Sequence, residues 1–202
     1  MTRHSPLAGL IARFDSLALR PPAASAMEAR LQADRPAPWQ ALADWCGAGG
    51  AGQGTSRHKL AVAQLDGADA AACQRWVNAF ARQLDGSSRL DALPGRAPGL
   101  AWRLQTKLLD TLAWRARRFD DPWDAGWALS TPAALDHWAA HFVPRRPTLV
   151  LADLADQPAL QAGLAALALR SPGWAHPVRW LWVGRHPSSA GLQGAALPRF
   201  RL

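Results

Sequence analysis

Tyrosine is absent from this 202-residue sequence, and cysteine occurs only twice. The two cysteines, Cys46 and Cys73, have no ligand-like spacing, which excludes a disulfide framework and a zinc finger and favours a reducing compartment. No apolar run reaches the ~20 residues that cross a bilayer. Arg13 and Asp15 interrupt the N-terminal apolar stretch, which is wrong for a signal peptide. We therefore expect a cytoplasmic protein with no membrane partner.

Acidic residues are outnumbered, because 15 Asp and Glu stand against 23 Lys and Arg and the formal net charge is +8. Such a surplus attracts phosphate, nucleic acid or an acidic protein surface. It is spread over three short clusters: Arg115, Arg117 and Arg118; Arg145 and Arg146; and Arg179, Arg185, Arg199 and Arg201. No cluster is a long basic run, so solvated arginine faces are the simpler interpretation and a nucleic-acid-binding surface is the alternative.

Hydrophobic residues make up 49% of the chain, and eleven tryptophans supply the bulk that abundant alanine lacks. The length fits a single globular unit. Apolar spacings of three and four predict a helix over residues 5–19, and a capping box at Ser25 and Glu28 predicts a second over residues 25–32. We therefore predict an N-terminal helical segment, residues 1–37, before a larger domain, residues 38–202.

Within the larger domain, apolar periodicity predicts helices over residues 56–65, 100–118 and 157–170. A further helix begins at Pro132, with Ser130 or Thr131 as its N-cap. Residues 73–84 fit a helix or a strand equally well.

Strands are expected at WQALADWC, residues 39–46, at PTLVLAD, residues 147–153, and at PVRWLWVG, residues 177–184. The last two are continuous apolar runs, which is typical of strands covered on both faces of a parallel sheet. With the helix between them they form a β-α-β unit. The tail from residue 186 onward has the composition of a loop.

Glycines are concentrated in CGAGGAGQGTS, residues 46–56, between a predicted strand and a predicted helix. Backbone N–H groups freed by glycine can cradle phosphates at a helix N-terminus, and a following lysine and hydroxyl hold the β/γ-phosphates and Mg²⁺. Two registers of this loop are possible. The first places Gln53 at the lysine position and Gly54 at the hydroxyl position, and the second places Thr55 and Ser56 there. Lys59 is the nearest lysine and lies inside the predicted helix.

Two carboxylates follow the strand PTLVLAD. Asp153 ends the strand, where the magnesium-side acid of a P-loop enzyme lies, and Asp156 is placed to orient a water molecule. An ordinary surface cap is the simpler interpretation of either residue alone. The glycine loop and the strand-terminal acid together point to nucleotide chemistry.

The blocks PWQALADWCGAGGAGQGTSRHKLA, RPTLVLADLAD and PVRWLWVGR resemble, in this order, the bacterial P-loop ATPases of the STAND/AAA-related group. In that group a Pro-Trp-led strand enters GxGGxGKSRLA, a Pro-Thr-led strand closes in Asp-Tyr-Ala-Glu, and a Pro-Val-Arg-led strand closes in Arg. The resemblance spans about residues 38–186. It implies an α/β fold with a three-layer P-loop NTPase-like core and a mostly parallel sheet, preceded here by the N-terminal helices.

The resemblance also implies roles for individual residues. Asp153, Asp156 and Arg185 take the catalytic positions, and Asp153 and Ser56 the metal positions. The nucleotide-binding positions are Gly47, Gly49, Gly50, Gly52, Gln53, Gly54, Thr55 and Ser56. The implied cofactors are ATP and Mg²⁺, but the phosphate-binding lysine is missing and Asp156 replaces a glutamate.

Loss of the lysine removes a charge-assisted contact to the phosphates, so we expect weak or lost ATP hydrolysis. The leading hypothesis is a degenerate NTPase-like domain that acts as a regulatory or interaction module with a protein partner. The alternatives are a basic nucleic-acid-binding protein and a helical partner-binding scaffold without nucleotide.

Overall fold

The computed structural model describes residues 15–24, 37–47, 59–92, 122–184 and 197–202. Six strands lie in these ranges: β1 (Leu19–Arg20), β2 (Leu60–Asp66), β3 (Asp124–Ala128), β4 (Thr148–Asp153), β5 (Val178–Val183) and β6 (Arg199–Arg201). Five α-helices lie between them: α1 (Ala37–Cys46), α2 (Ala70–Leu84), α3 (Ser87–Ala92), α4 (Pro132–Ala140) and α5 (Gln157–Arg170).

The strands form one sheet in the order β1-β3-β4-β5-β2-β6. Every neighbouring pair is parallel except β1 and β3, which are antiparallel. β5 lies at the centre, with Leu181 paired to Leu151 on one side and to Ala63 on the other. All six residues of β5 are buried, as a central parallel strand covered on both faces requires.

Helices cover both faces of the sheet. Helices α1 and α2 pack against Leu65, Leu151 and Leu181 on one face. Helices α4 and α5 pack against the other face, where Trp180 and Trp182 are almost fully buried, as their alternation with Leu181 and Val183 predicts. The protein is thus an α/β protein with a mostly parallel six-stranded sheet between two helical layers.

Local signals predict four of these elements correctly. Strands β4 and β5 and helix α5 form the predicted parallel β-α-β unit. Helix α4 begins at Pro132, and Thr131 rather than Ser130 is its N-cap, since its hydroxyl accepts a hydrogen bond from the Ala134 N–H. Residues 73–84, which fitted either structure, belong to helix α2.

Two predictions around the glycine-rich segment are wrong. WQALADWC is not a strand but most of helix α1, because Trp39, Leu42 and Cys46 recur at helical spacing and are buried together. The predicted helix over residues 56–65 is also wrong, because Leu60–Asp66 is strand β2, which pairs with β5 and β6.

The two ends of the sheet also differ from expectation. The helix predicted over residues 5–19 does not reach its end, since a turn leads into β1 at Leu19. Arg199–Arg201, expected in a loop, forms β6. The helices predicted over residues 25–32 and 100–118 lie outside the described residues.

Candidate functional site at the carboxyl edge of the sheet

Three parallel strands end side by side and define what we call the carboxyl edge. Val183, the last residue of β5, is paired with Leu65 of β2 and with Asp153 of β4. Asp66 and Asp153 therefore flank the end of β5, and Gly184 follows it with a φ of +137°. Ligands of open parallel sheets bind outside the carboxyl ends of the strands, so this edge is the candidate site.

Asp153 is half-buried and held by two contacts. Its Oδ1 accepts a hydrogen bond from the Ala155 N–H at 2.9 Å and caps the 3₁₀ turn Leu154–Asp156. Its Oδ2 lies 3.5 Å from the Gln74 amide nitrogen of α2, at the long limit of hydrogen bonding. The carboxylate is thereby oriented toward the N-terminal part of α2.

The connection from β2 to α2 has only three residues, Gly67, Ala68 and Asp69. Asp69 is the N-cap of α2, and its Oδ1 accepts a hydrogen bond from the Ala71 N–H at 2.9 Å. A Cβ on Gly67 would lie 3.0 Å from the Cys73 Sγ, so the turn packs closely against the first turn of the helix. A carboxylate thus occupies the helix N-terminus, the position that favours negative charge.

Carboxylates also surround the buried Cys73 thiol. Burial raises its pKa to about 11, and the charges of Asp66 and Asp69 add to the shift. Asp66 in turn accepts a hydrogen bond from the Gln64 side chain at 2.6 Å. The thiol is therefore protonated near neutral pH and is a poor nucleophile and metal ligand.

The predicted phosphate loop does not have the strand-loop-helix setting that such a loop requires. Gly47 follows helix α1 with a φ of +82°, and Lys59 immediately precedes β2. The Lys59 Nζ donates a hydrogen bond to the Ala175 carbonyl at the amino edge of the sheet. Since β2 has seven residues at about 3.3 Å each, Lys59 and Asp153 stand about 20 Å apart at opposite edges.

Of the predicted site residues, the structure describes Gly47, Asp153 and Asp156. Asp153 and Asp156 lie at the two ends of one short turn, and Asp156 makes no side-chain cap hydrogen bond to α5. The remaining predicted residues lie outside the described ranges: Gly49, Gly50, Gly52, Gln53, Gly54, Thr55, Ser56 and Arg185. Within the described ranges, no group of three or more His, Cys, Asp or Glu side chains could hold a metal ion.

The β2–α2 turn is the part of this edge that sequence reasoning missed. Its signal was present, since an apolar run ends in Asp66-Gly67, a turn dipeptide, and Asp69 then supplies an N-cap. Because the sequence pattern predicts a helix for LAVAQL, it does not identify Gly67, Ala68 and Asp69 as the connection between a strand and a helix.

Two arginines from the basic clusters are buried and interact with groups inside the protein. Arg146 is almost buried, and its Nη1 lies 3.7 Å from the Asp124 carboxylate. Arg179 is buried beneath α1 and donates a hydrogen bond from Nε to the Trp45 carbonyl at 3.2 Å. Burial lowers the pKa of Arg179, and the helix C-terminus provides the negative end of a dipole beside it. Neither side chain is available to a phosphate backbone.

Comparison of the chain with known proteins found no matching family model, no matching curated protein and no matching solved structure. Among the helices that the structure describes, none has the length and apolar character needed to cross a membrane.

Proposed function

We propose that this chain is a P-loop NTPase-like domain of the STAND/AAA-related type that has lost its phosphate site and acts as a regulatory or interaction module. The observation that carries the proposal is the three-residue β2–α2 turn with the Asp69 carboxylate at the helix N-terminus. The glycine segment that the resemblance equates with the phosphate loop precedes β2, so this turn, which follows β2, is the connection between strand and helix where a P-loop enzyme with this sheet would hold its phosphates.

The positions of β2 and β4 in the sheet are compatible with the proposed ancestry. The resemblance requires a mostly parallel sheet in which one strand leads to the phosphate loop and another ends in the magnesium-side aspartate. Here β5 separates β2 from β4, and β4 ends in Asp153. Gln74, on the helix after β2, contacts Asp153 from the side where such an enzyme places its magnesium-binding hydroxyl.

The length of the turn argues against phosphate binding. The motif G-x-x-x-x-G-K-[ST] has eight residues, and it wraps its backbone N–H groups around a phosphate between the end of a strand and the first turn of a helix. Gly67, Ala68 and Asp69 are too few to form that concave nest. In addition, the Ala71 N–H, one of the first donors of α2, is already used by Asp69.

Charge argues in the same direction. Asp66, Asp69 and Asp153 are gathered at this edge, whereas Lys59 stands at the opposite edge. Carboxylates repel a phosphate chain where a competent enzyme provides a lysine. Among the described residues, this edge therefore has the acid that would hold Mg²⁺ and neither a lysine nor a glycine-rich loop that would hold the nucleotide.

Thermal denaturation with nucleotide tests the proposal. A ligand at a hundred times its Kd stabilises the folded state by about 2.7 kcal/mol, so binding in the micromolar range is visible at millimolar ATP and Mg²⁺. We expect no shift of the melting temperature with ATP, ADP or GTP, and no phosphate release. Asp153→Ala is the matched variant, and it should behave like the unmodified protein in both assays.

A Mg²⁺-dependent shift that disappears in Asp153→Ala would overturn the loss of nucleotide binding. Turnover that persists in Asp153→Ala would place the reaction elsewhere in the chain and would contradict the assignment of the carboxyl edge.

A further inference from the structure

Strand β6 is the last strand of the sheet, and no described strand pairs with its outer edge. The hydrogen bonds to β2 give the direction of its backbone groups. The Pro198 carbonyl accepts from the Gln64 N–H, and the Leu202 N–H donates to the Asp66 carbonyl, each at 3.0 Å. Because alternate residues of a parallel strand bond to the same neighbour, the N–H and C=O groups of Arg199 and Arg201 point outward.

The side chains of β6 alternate between the two faces of the sheet. Phe200 packs against Trp45 of α1, with ring centroids 5.9 Å apart, and so lies on the α1 face. Arg199 and Arg201 therefore project from the opposite face. Both are exposed, and neither forms an ion pair or side-chain hydrogen bond with a described residue. Among the described residues, this outer edge therefore combines backbone groups that have no strand partner with two exposed guanidinium groups on one face, where Asp66 of β2 is in register with Arg201.

We infer that the outer edge of β6 binds an extended acidic segment of a partner protein by strand addition. The partner backbone pairs with the outward N–H and C=O groups of Arg199 and Arg201, and its acidic side chains at alternate positions face the two guanidinium groups. The inference deepens the proposed function and rests on it, because it names the surface and the chemistry through which the module acts.

Electrostatic repulsion argues against a second copy of this chain as the partner that pairs with β6. Pairing β6 with another β6 would bring four arginines together on one face, and like charges opposite each other destabilise a strand pair. Nucleic acid fits less well than a peptide, because strong binding uses several phosphate contacts along a basic surface. Among the cluster arginines that the structure describes, Arg146 and Arg179 are buried, and only Arg145 is exposed besides Arg199 and Arg201.

Fluorescence anisotropy tests the inference on the full chain. The probe is a labelled peptide of about eight residues in which Glu and Val alternate, so that one face is acidic when it is extended. A second peptide has the same sequence with its backbone N-methylated at alternate residues, which keeps the charge and removes the strand-pairing donors. A labelled single-stranded oligothymidine of similar length is the third probe.

Two charge-matched variants locate the site. Arg199→Glu with Arg201→Glu reverses the β6 charges. Arg20→Glu with Arg89→Glu makes the same change in net charge, from +8 to +4, at two exposed arginines on β1 and α3. We expect the β6 variant to weaken binding of the unmodified peptide by about tenfold or more, and the control variant to change it by less than about twofold. N-methylation should weaken binding as strongly as the β6 variant does.

Equal binding of the two peptides would refute strand addition, and so would equal loss in the two variants or no peptide binding at all. Tighter binding of the oligothymidine, lost in the β6 variant, would replace the peptide partner with nucleic acid. These outcomes are separate from the nucleotide test, since β6 and Asp153 belong to different strands. A shift with ATP would overturn the proposed function whatever the peptide does.

Discussion

Gly126 of β3 stands where any side chain would collide with the antiparallel edge strand. A Cβ at this position would lie 2.7 Å from the Arg20 carbonyl oxygen and 3.1 Å from the Leu19 Cβ. The first neighbour is backbone, which cannot rotate out of the way as a flexible side chain can. Gly126→Ala must therefore displace β1 or strain the β1–β3 pair.

The loss of stability in Gly126→Ala is limited by the stability that the packing of β1 against β3 contributes. Complete detachment of β1 would expose Leu19, which is buried, and re-exposing a leucine side chain costs about 1.5–3 kcal/mol. If β1 stays in place, the added methyl group is accommodated by strain that typically costs about 1–3 kcal/mol. Because the protein adopts the cheaper arrangement, we expect the free energy of unfolding to fall by about 1–3 kcal/mol.

Urea denaturation followed by tryptophan fluorescence measures the loss, and hydrogen exchange locates it. The Leu129 N–H, which donates to the Ala18 carbonyl at 2.9 Å, should exchange faster in Gly126→Ala. Gly173→Ala is the control, because a Cβ there meets nothing within 4 Å. Equal stability of the two variants, with unchanged protection at Leu129, would refute the collision.

The thiols and the cap of α4 give two further predictions. Burial raises the pKa of Cys46 to about 12 and that of Cys73 to about 11, so their stabilisation is complete below pH 9 and is lost toward pH 11–12. In urea denaturation, the free energy of unfolding should fall above pH 9 by about 1.4 kcal/mol per pH unit for each thiol, and a Cys46→Ala, Cys73→Ala variant should show a flatter decline. Thr131→Ala should cost about 1 kcal/mol in the same assay at neutral pH, whereas Thr131→Ser, which keeps the hydroxyl, should cost far less.

The sequence determines those elements whose signals are local and continuous. PTLVLAD and PVRWLWV are short, continuous apolar runs rich in branched or aromatic residues, which favours buried strands, and helix α4 has its cap in Thr131 and its first turn at Pro132. The β-α-β unit follows from their order along the chain. Asp153 at the end of its strand could likewise be read from the sequence, because the residue directly follows the apolar run.

The tertiary structure decided the segments on either side of the glycines. LAVAQLD is short, rich in alanine and consistent with helix or strand, and it becomes β2 because β5 and β6 supply its hydrogen-bonding partners from more than a hundred residues away. Trp39, Leu42 and Cys46 have helical spacing within a segment that also reads as an apolar run, and burial against the sheet selects the helix.

The pairing of β2 with β5 and β6 also determined which residues lie at the candidate site. With β2 as a strand, Asp66 and Asp69 come to the carboxyl edge beside Asp153, while Lys59 is carried to the amino edge. Which charged groups meet at an edge depends on strand order and register, and both are set by contacts between residues far apart in the chain. Assigning β2 to a helix therefore still places Asp153 at the carboxyl edge, but it predicts the wrong charged residues around it.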